Sequence, residues 1–318
     1  MPWCESKGTN QTIMSDTRYI LCPGQGAQAV GMAKALTDKY PAAKAMFDRA
    51  SAVLGYDLLA VCTAGPEDRL SQTDVAQPAL FVAGVASFDA ARQLGMLTDK
   101  LAFAGLSLGE YTALHLAGAF DFETGVSLVR QRGALMQQAA VATPSGMVAI
   151  VGSDEAAVAE LCAANAGGEV LVPANYNAPG QIVVSGSLGA CQRILDSATA
   201  KGIKAVSLKV AGAFHSPIMQ PAADQMKRVL DAAALKAPVA TAYSNVTAAP
   251  HTDLGSIKDL LVRQIVAPVK WQQTLEGILA AEPAATFVEL SPGRTLTGLA
   301  RRINRRLPIE NVDEKIGS

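Results

Sequence analysis

The amino-acid sequence predicts an α/β protein built on a mostly parallel sheet, and three observations carry that expectation. Short apolar runs alternate with stretches of helical spacing on both sides of the chain's middle, the order that a parallel sheet with covering helices requires. A strand-like run ends in Gly105-Leu106-Ser107-Leu108-Gly109 and passes directly into a helix-forming segment. Between about 142 and 210 the order becomes strand, helix, strand, strand, helix, strand. That order predicts a compact ferredoxin-like βαββαβ unit, 142–210, inserted into a core formed by 17–141 and 211–318.

Taken in order, the polar residues 1–16 are expected to be a disordered extension, with Met14 as an alternative start. Tyr19–Cys22 reads as a strand that breaks at Pro23-Gly24-Gln25-Gly26-Ala27-Gln28, before a helix begins over Met32–Leu36. A glycine-rich turn after a strand gathers backbone N–H groups near one point. The run lacks the third glycine of a dinucleotide loop and the G-K-[ST] of a P-loop, so taken alone a tight turn without a ligand fits it better. Helical patterns follow at Pro41–Leu54 and Pro78–Leu94; the second is almost wholly apolar, as a helix packed under a sheet would be. Ser107–Ala117 and Asp121–Ala140 are the next helices, the latter with acidic residues in its first turn.

Within the insertion, Met147–Val151, Glu169–Tyr176, Gln181–Gly186 and Ala205–Val210 read as strands, and Asp154–Ala164 and Leu188–Ala200 as helices. Past it come a helix over Met219–Ala234, a strand at Val239–Ser244 and a helix ending near Val266. A helix over Trp271–Ala281, the strand Thr286–Leu290 and a last helix, Thr295–Arg306, complete the chain.

Composition bounds the function. A chain of 318 residues that is 50% hydrophobic can bury a large core. Its net charge of −1 offers no broad basic field for nucleic acid or an anionic membrane. The five cysteines, Cys4, Cys22, Cys62, Cys162 and Cys191, are scattered and odd in number, which fits reduced thiols and argues against a disulfide or zinc framework. With no apolar run of membrane-spanning length and no signal-peptide core, a cytoplasmic location is expected.

Residues 105–109 have the form of a nucleophile elbow, G-x-S-x-G. So tight a turn strains the serine backbone, and side chains at Gly105 or Gly109 would collide with the strand or the helix start. It exposes the Ser107 hydroxyl and aims free helix N–H groups at whatever that oxygen attacks. A serine needs a general base, and histidine has the suitable pKa. Three are present. His115 lies eight residues down the helix from Ser107, about 12 Å along the axis. His251 sits in a polar, Pro-containing turn and reads as a solvated loop residue. His215 remains, just past the insertion, and is the candidate base. The order nucleophile then base makes the core α/β-hydrolase-like, although a hydrolase base usually lies nearer the C-terminus.

Arg130 and Arg132 share the helix at 121–140 but point to opposite sides, since two residues turn it by about 200°. Arg132 is flanked by Leu128, Val129, Leu135 and Met136 and leaves the more apolar face. A guanidinium there must meet an anion, either a ligand or an internal carboxylate.

These pieces together resemble the malonyl-CoA:acyl carrier protein transacylase family, discrete relatives of polyketide-synthase acyltransferase domains. The resemblance runs from Tyr19 to Arg306 through PGQGAQ (23–28), GLSLGEY (105–111), VRQRGALMQ (129–137) and NYNAPGQIVVSG (175–186). It continues through AFHSPIM (213–219), SNVTA (244–248), LVRQIVAPVKW (261–271) and ELSPGRTL (289–296). It implies Ser107 as nucleophile and His215 as base, an oxyanion hole from the N–H groups of Gln25 and Leu108, and Arg132 on the malonyl carboxylate. Gln264 would orient His215 through its backbone carbonyl, and Phe214, with Leu108, would favour malonyl over methylmalonyl. Asn175, Asn177 and Asn245 would have structural or pocket-lining roles.

The implied reaction is ping-pong transfer of malonyl from malonyl-CoA to the phosphopantetheine thiol of acyl carrier protein, in fatty acid or polyketide synthesis. It needs no cofactor and no metal, and a monomer is expected. The carrier protein is typically acidic, so Arg301, Arg302, Arg305 and Arg306 are a candidate docking patch, or else a solvated face. One departure stands out: Leu106 occupies the position where the family usually has histidine. A serine hydrolase or thioesterase using the same pair, and a non-catalytic docking module, are the alternatives.

Overall fold

The structure, a computed structural model, describes residues 17–317. The expected disorder of 1–16, and Cys4, fall outside the described residues. In chain order the elements are β1 (Thr17–Cys22), α1 (Lys34–Lys39), α2 (Pro41–Leu54), α3 (Leu58–Ala64), α4 (Glu67–Leu70), α5 (Thr73–Gln93), β2 (Lys100–Gly105), α6 (Gly109–Leu116) and α7 (Phe122–Ala142). The middle holds β3 (Ser145–Val151), α8 (Glu155–Asn165), β4 (Leu171–Ala178), β5 (Gln181–Ser187), α9 (Leu188–Ala200) and β6 (Lys204–Ser207). The last part holds α10 (Gln220–Ala232), β7 (Thr241–Ala242), α11 (Leu254–Gln264), α12 (Trp271–Ala281), β8 (Thr286–Glu289), α13 (Thr295–Ile303), β9 (Ile309–Asn311) and α14 (Val312–Gly317).

The main sheet has the order β7-β2-β1-β8-β9, with every pairing parallel. Both its faces are buried, so its strands read as unbroken apolar runs. Alternation still sorts them: Ile20, Cys22 and Phe103 enter the core under α2, α5, α6 and α7, while Tyr19, Leu21, Ala102 and Ala104 pack towards α12 and α13. Side-chain caps set four helix starts, with Asp57, Asp121, Asp154 and Asp253 accepting from the N–H groups of Ala60, Thr124, Ala157 and Ser256.

The second sheet, β4-β5-β3-β6, is antiparallel throughout. One face packs on α8 and α9 through Val148, Ile150, Val158, Leu161 and Ile194. The other sends Met147, Ala174 and Val183 into the main core. Backbone bonds between Val269 and the Ala174–Tyr176 stretch, 2.8 and 2.9 Å, tie β4 to the segment that leads into α12. A cleft lies between them.

Several boundaries differ from expectation. The helix read from Pro78 starts at Thr73, with the proline inside it. The strand read at Val239–Ser244 shrinks to Thr241–Ala242, and Val239 is 88% exposed. The last strand of the insertion, read as Ala205–Val210, ends at Ser207. The helix read as Thr295–Arg306 ends at Ile303, because the chain extends at Asn304 and turns ahead of Pro308. Arg305 and Arg306 therefore follow the helix. The short elements α3, α4, β9 and α14 carry too little periodicity to be read from sequence.

Candidate active site

The bend between β2 and α6 is held by backbone contact on both sides. A Cβ at Gly105 would lie 2.0 Å from the Gly109 carbonyl, and one at Gly109 would lie 2.0 Å from the Cys22 carbonyl of β1. Neither neighbour can yield, so only glycine fits. Between them Ser107 has φ 53°, a left-handed conformation that costs a non-glycine residue energy. It is pinned there by the Asn245 side chain, whose Oδ1 accepts from Ser107 N–H at 2.7 Å and whose Nδ2 donates to Gly105 O at 2.7 Å.

His215 follows the inserted sheet and precedes a turn capped by Ser216. It too is left-handed, φ 58°, and it is buried. Its Nδ1 lies 2.7 Å from the backbone carbonyl of Gln264. A carbonyl only accepts, so Nδ1 carries the proton and Nε2 offers its lone pair to Ser107 Oγ at 2.8 Å. Burial first, then the positive charge of Arg132, lower the His215 pKa to about 4, against the opposing pull of the Gln264 carbonyl. The imidazole is neutral at pH 7 and able to take a proton.

Arg132 is 1% exposed. Its Nη1 donates to Gln77 Oε1 at 2.8 Å; its Nη2 donates to Gln264 Oε1 at 2.8 Å and to Ser107 Oγ at 3.1 Å. Tyr111 presents its ring face 5.4 Å away. Of the two anions open to it, an internal carboxylate is not in direct contact: among the described residues no Asp or Glu forms an ion pair with it. A buried guanidinium with only amide and hydroxyl partners and an unpaired Nε is suited to an anionic ligand.

The Pro23–Gln28 turn packs against the elbow, with Gly24 so close that a Cβ would lie 2.2 Å from Leu106 O. Among the described residues the N–H groups of Gln25 and Leu108 find no protein acceptor. A cavity of about 610 Å³ opens over Ser107, Arg132 and His215 and is bordered by Leu106, Met147 and Phe214. Asn175 and Asn177 line it as well, on β4.

The other histidines lie apart from the cavity. His115 bonds the Phe120 carbonyl at 2.9 Å among the rings of Phe81, Phe120 and Phe122. His251 is not a solvated loop residue: it is buried, with Nε2 2.8 Å from Glu110 Oε1, because the turn that carries it folds back onto α6. Two polar partners of the site escaped the sequence reading. Gln77 lies one residue before the proline at which the helix was expected to start, and Glu110 directly follows the elbow motif, in the first turn of the helix.

Against known proteins, the acyl transferase domain family profile matches residues 19–312. The malonyl CoA-acyl carrier protein transacylase of Salmonella typhimurium is 41% identical over 293 residues, covering 92% of this chain and 94% of that protein. The Bacillus subtilis transacylase is 39% identical over 290 residues, covering 91% and 90%. The Coxiella burnetii transacylase structure superposes with a TM-score of 0.90 at 37% identity, covering 95% and 96% of the two chains. A malonyl-transacylase solved in complex with its type II polyketide synthase acyl-carrier protein gives 0.88 at 37% identity, covering 93% and 96%. By profile, sequence and architecture, the chain belongs to the acyl transferase family, among its malonyl-CoA–acyl carrier protein transacylases.

Proposed function

We propose that this enzyme moves a malonyl group from malonyl-CoA to the phosphopantetheine thiol of acyl carrier protein through a malonyl ester on Ser107. The observation that carries the assignment of roles is the Arg132 guanidinium, buried without a carboxylate partner and 3.1 Å from the Ser107 hydroxyl. A thioester attacked there places its acyl tail against that guanidinium.

The chemistry follows from the hydrogen bonds. Ser107 Oγ gives its proton to His215 Nε2 as it bonds to the thioester carbon, and the carbonyl oxygen takes up the negative charge. The N–H groups of Gln25 and Leu108 are free to hold that oxyanion. The carbon–sulfur bond then breaks, and the imidazolium returns its proton to the departing CoA sulfur. The carrier-protein thiol reverses these steps, releasing Ser107 and completing a ping-pong exchange. Gln264 O keeps the imidazole oriented throughout, so no aspartate is required.

Arg132 selects acyl groups that end in a carboxylate, and Phe214 limits room beside the α-carbon, favouring malonyl over methylmalonyl. Leu106 leaves an apolar rim where relatives carry a polar side chain, without touching the serine–histidine pair. Residues 142–210 act as a small subdomain forming one wall of the cleft over a core of 17–141 and 211–318. The enzyme acts as a cytoplasmic monomer; among the described residues no helix is long and apolar enough to cross a membrane.

Carrier protein docks on the exposed arginines Arg301, Arg302, Arg305 and Arg306. Arg302 bonds Gln181 at the border of the cavity, and none of the four makes an ion pair among the described residues. Intact-protein mass spectrometry after mixing with malonyl-CoA tests the reading. The expected result is one malonyl group on Ser107, stable in water and removed by holo carrier protein. Rapid release to water without transfer would make the protein a hydrolase instead.

A further inference from the structure

Beneath the elbow lies a buried carboxylate that the proposed reaction does not use. Glu110, the second residue of α6, is 0% exposed. Its Oε2 accepts from Gln264 Nε2 at 2.6 Å and from the Asn245 N–H at 3.0 Å, and its Oε1 faces His251 Nε2 at 2.8 Å. His251 Nδ1 has no partner. A buried N–H left unpaired is rarer and costlier than an unpaired lone pair, so His251 carries its one proton on Nε2 and donates it to Glu110. Glu110 thus gathers N–H bonds from Gln264, Asn245 and His251.

The Arg132 guanidinium stands one amide away. Both hydrogens of Gln264 Nε2 are spoken for, by Glu110 Oε2 and by Ser107 O at 2.9 Å. Its Oε1 therefore turns to Arg132 Nη2 at 2.8 Å. Flipping the amide would set oxygen against two acceptors and nitrogen against a guanidinium donor. Glu110 thus dictates which end of Gln264 meets Arg132. A carboxylate in direct contact would occupy the guanidinium fork. Placed across an amide, it stays close to the buried guanidinium and leaves Nε and one Nη1 hydrogen without a protein carboxylate, free for a substrate carboxylate.

We propose that Glu110 is a positioning residue that acts on Arg132 through the Gln264 amide, and so sets this enzyme's preference for acyl groups bearing a carboxylate. The proposal rests on the malonyl-transfer reading above. Its test compares two acylations of Ser107: by malonyl-CoA, which engages Arg132, and by p-nitrophenyl acetate, which needs only the serine, the histidine and the oxyanion donors. Glu110→Gln keeps the shape and removes the charge.

The expected result is a fall of about 10- to 100-fold in malonyl acylation, the range for a charge-assisted hydrogen bond, with the acetate burst changed by less than about threefold. Gln264→Leu, which cuts the link itself, is expected to lower malonyl acylation at least as far, and the double variant to lose no more of it than the worse single one. Equal losses with both reagents in Glu110→Gln, or no loss of malonyl acylation, would overturn the proposal. If the unmodified enzyme reacts with p-nitrophenyl acetate but never with malonyl-CoA, the parent reading fails instead.

Discussion

At the scale of single residues the site depends on two basic side chains that the protein has taken out of water, Arg132 and His215. Arg132 is predicted to contribute most of the discrimination against acetyl groups. Arg132→Ala should lower kcat/KM for malonyl-CoA by on the order of 30- to 1,000-fold, the 2–4 kcal/mol of a buried charged hydrogen-bonded pair. Single-turnover acylation with malonyl-CoA and acetyl-CoA measures it. His215 sets the pH response. With its pKa down at about 4, the imidazole stays neutral far below the ordinary histidine range. The kcat/KM profile should be flat from neutral pH through 6 and decline only on approach to pH 4, and an acid limb near 6.5 would contradict the burial argument. Folding is linked in the same sense. The unfolded chain takes up this proton below 6.5 and the folded chain only near 4, so stability rises with pH across that window and is complete above it. His215→Gln should flatten that part of the stability curve.

At the scale of elements, the β2–α6 bend and helix α13 make separate predictions. Gly109 meets the Cys22 backbone rather than a flexible side chain, so Gly109→Ala cannot be relieved by a rotamer change. It should cost more than about 3 kcal/mol in urea unfolding and abolish acylation, because the strained Ser107 conformation exists only while that contact holds. On α13, Arg301→Glu with Arg302→Glu should raise the KM for carrier protein about three- to tenfold and leave acylation by malonyl-CoA unchanged. The effect should shrink as salt screens the contact, which steady-state kinetics at two ionic strengths would reveal.

Across the whole molecule, the cavity exists because two sheets of different origin meet. Ser107 arrives on the parallel sheet, Arg132 on α7 beneath it, and His215 on the chain returning from the antiparallel sheet, whose Ser185 hydroxyl holds the Phe214 carbonyl at 2.5 Å. Met147 and Val183 from that sheet border the same cavity. This wall limits water. Malonyl-Ser107 is predicted to transfer to carrier-protein thiol at least about 100-fold faster than it hydrolyses, a difference of roughly 3 kcal/mol in barrier. Rapid-quench mass spectrometry with and without carrier protein checks it.

Much of this was legible in the sequence because it is local. The elbow is a short-range steric problem with one solution in glycine, and the alternation of apolar runs with helical spacing determined the fold class. Helix geometry removed His115 from three histidines, but His251 was set aside on a loop reading that the structure overturns, and the apolar flanks of Arg132 required an anion without naming one. What only the tertiary structure decided is long-range and polar. His251 read as a loop residue because nothing local shows that its turn folds back onto Glu110, 141 residues earlier in the chain. Gln77 fell just outside the helix read from Pro78, and the Glu110–Gln264–Arg132 relay joins three separate stretches. Apolar periodicity is written along the chain, whereas a buried polar group must find its partner wherever folding brings one, and that partner leaves no mark on the neighbouring residues.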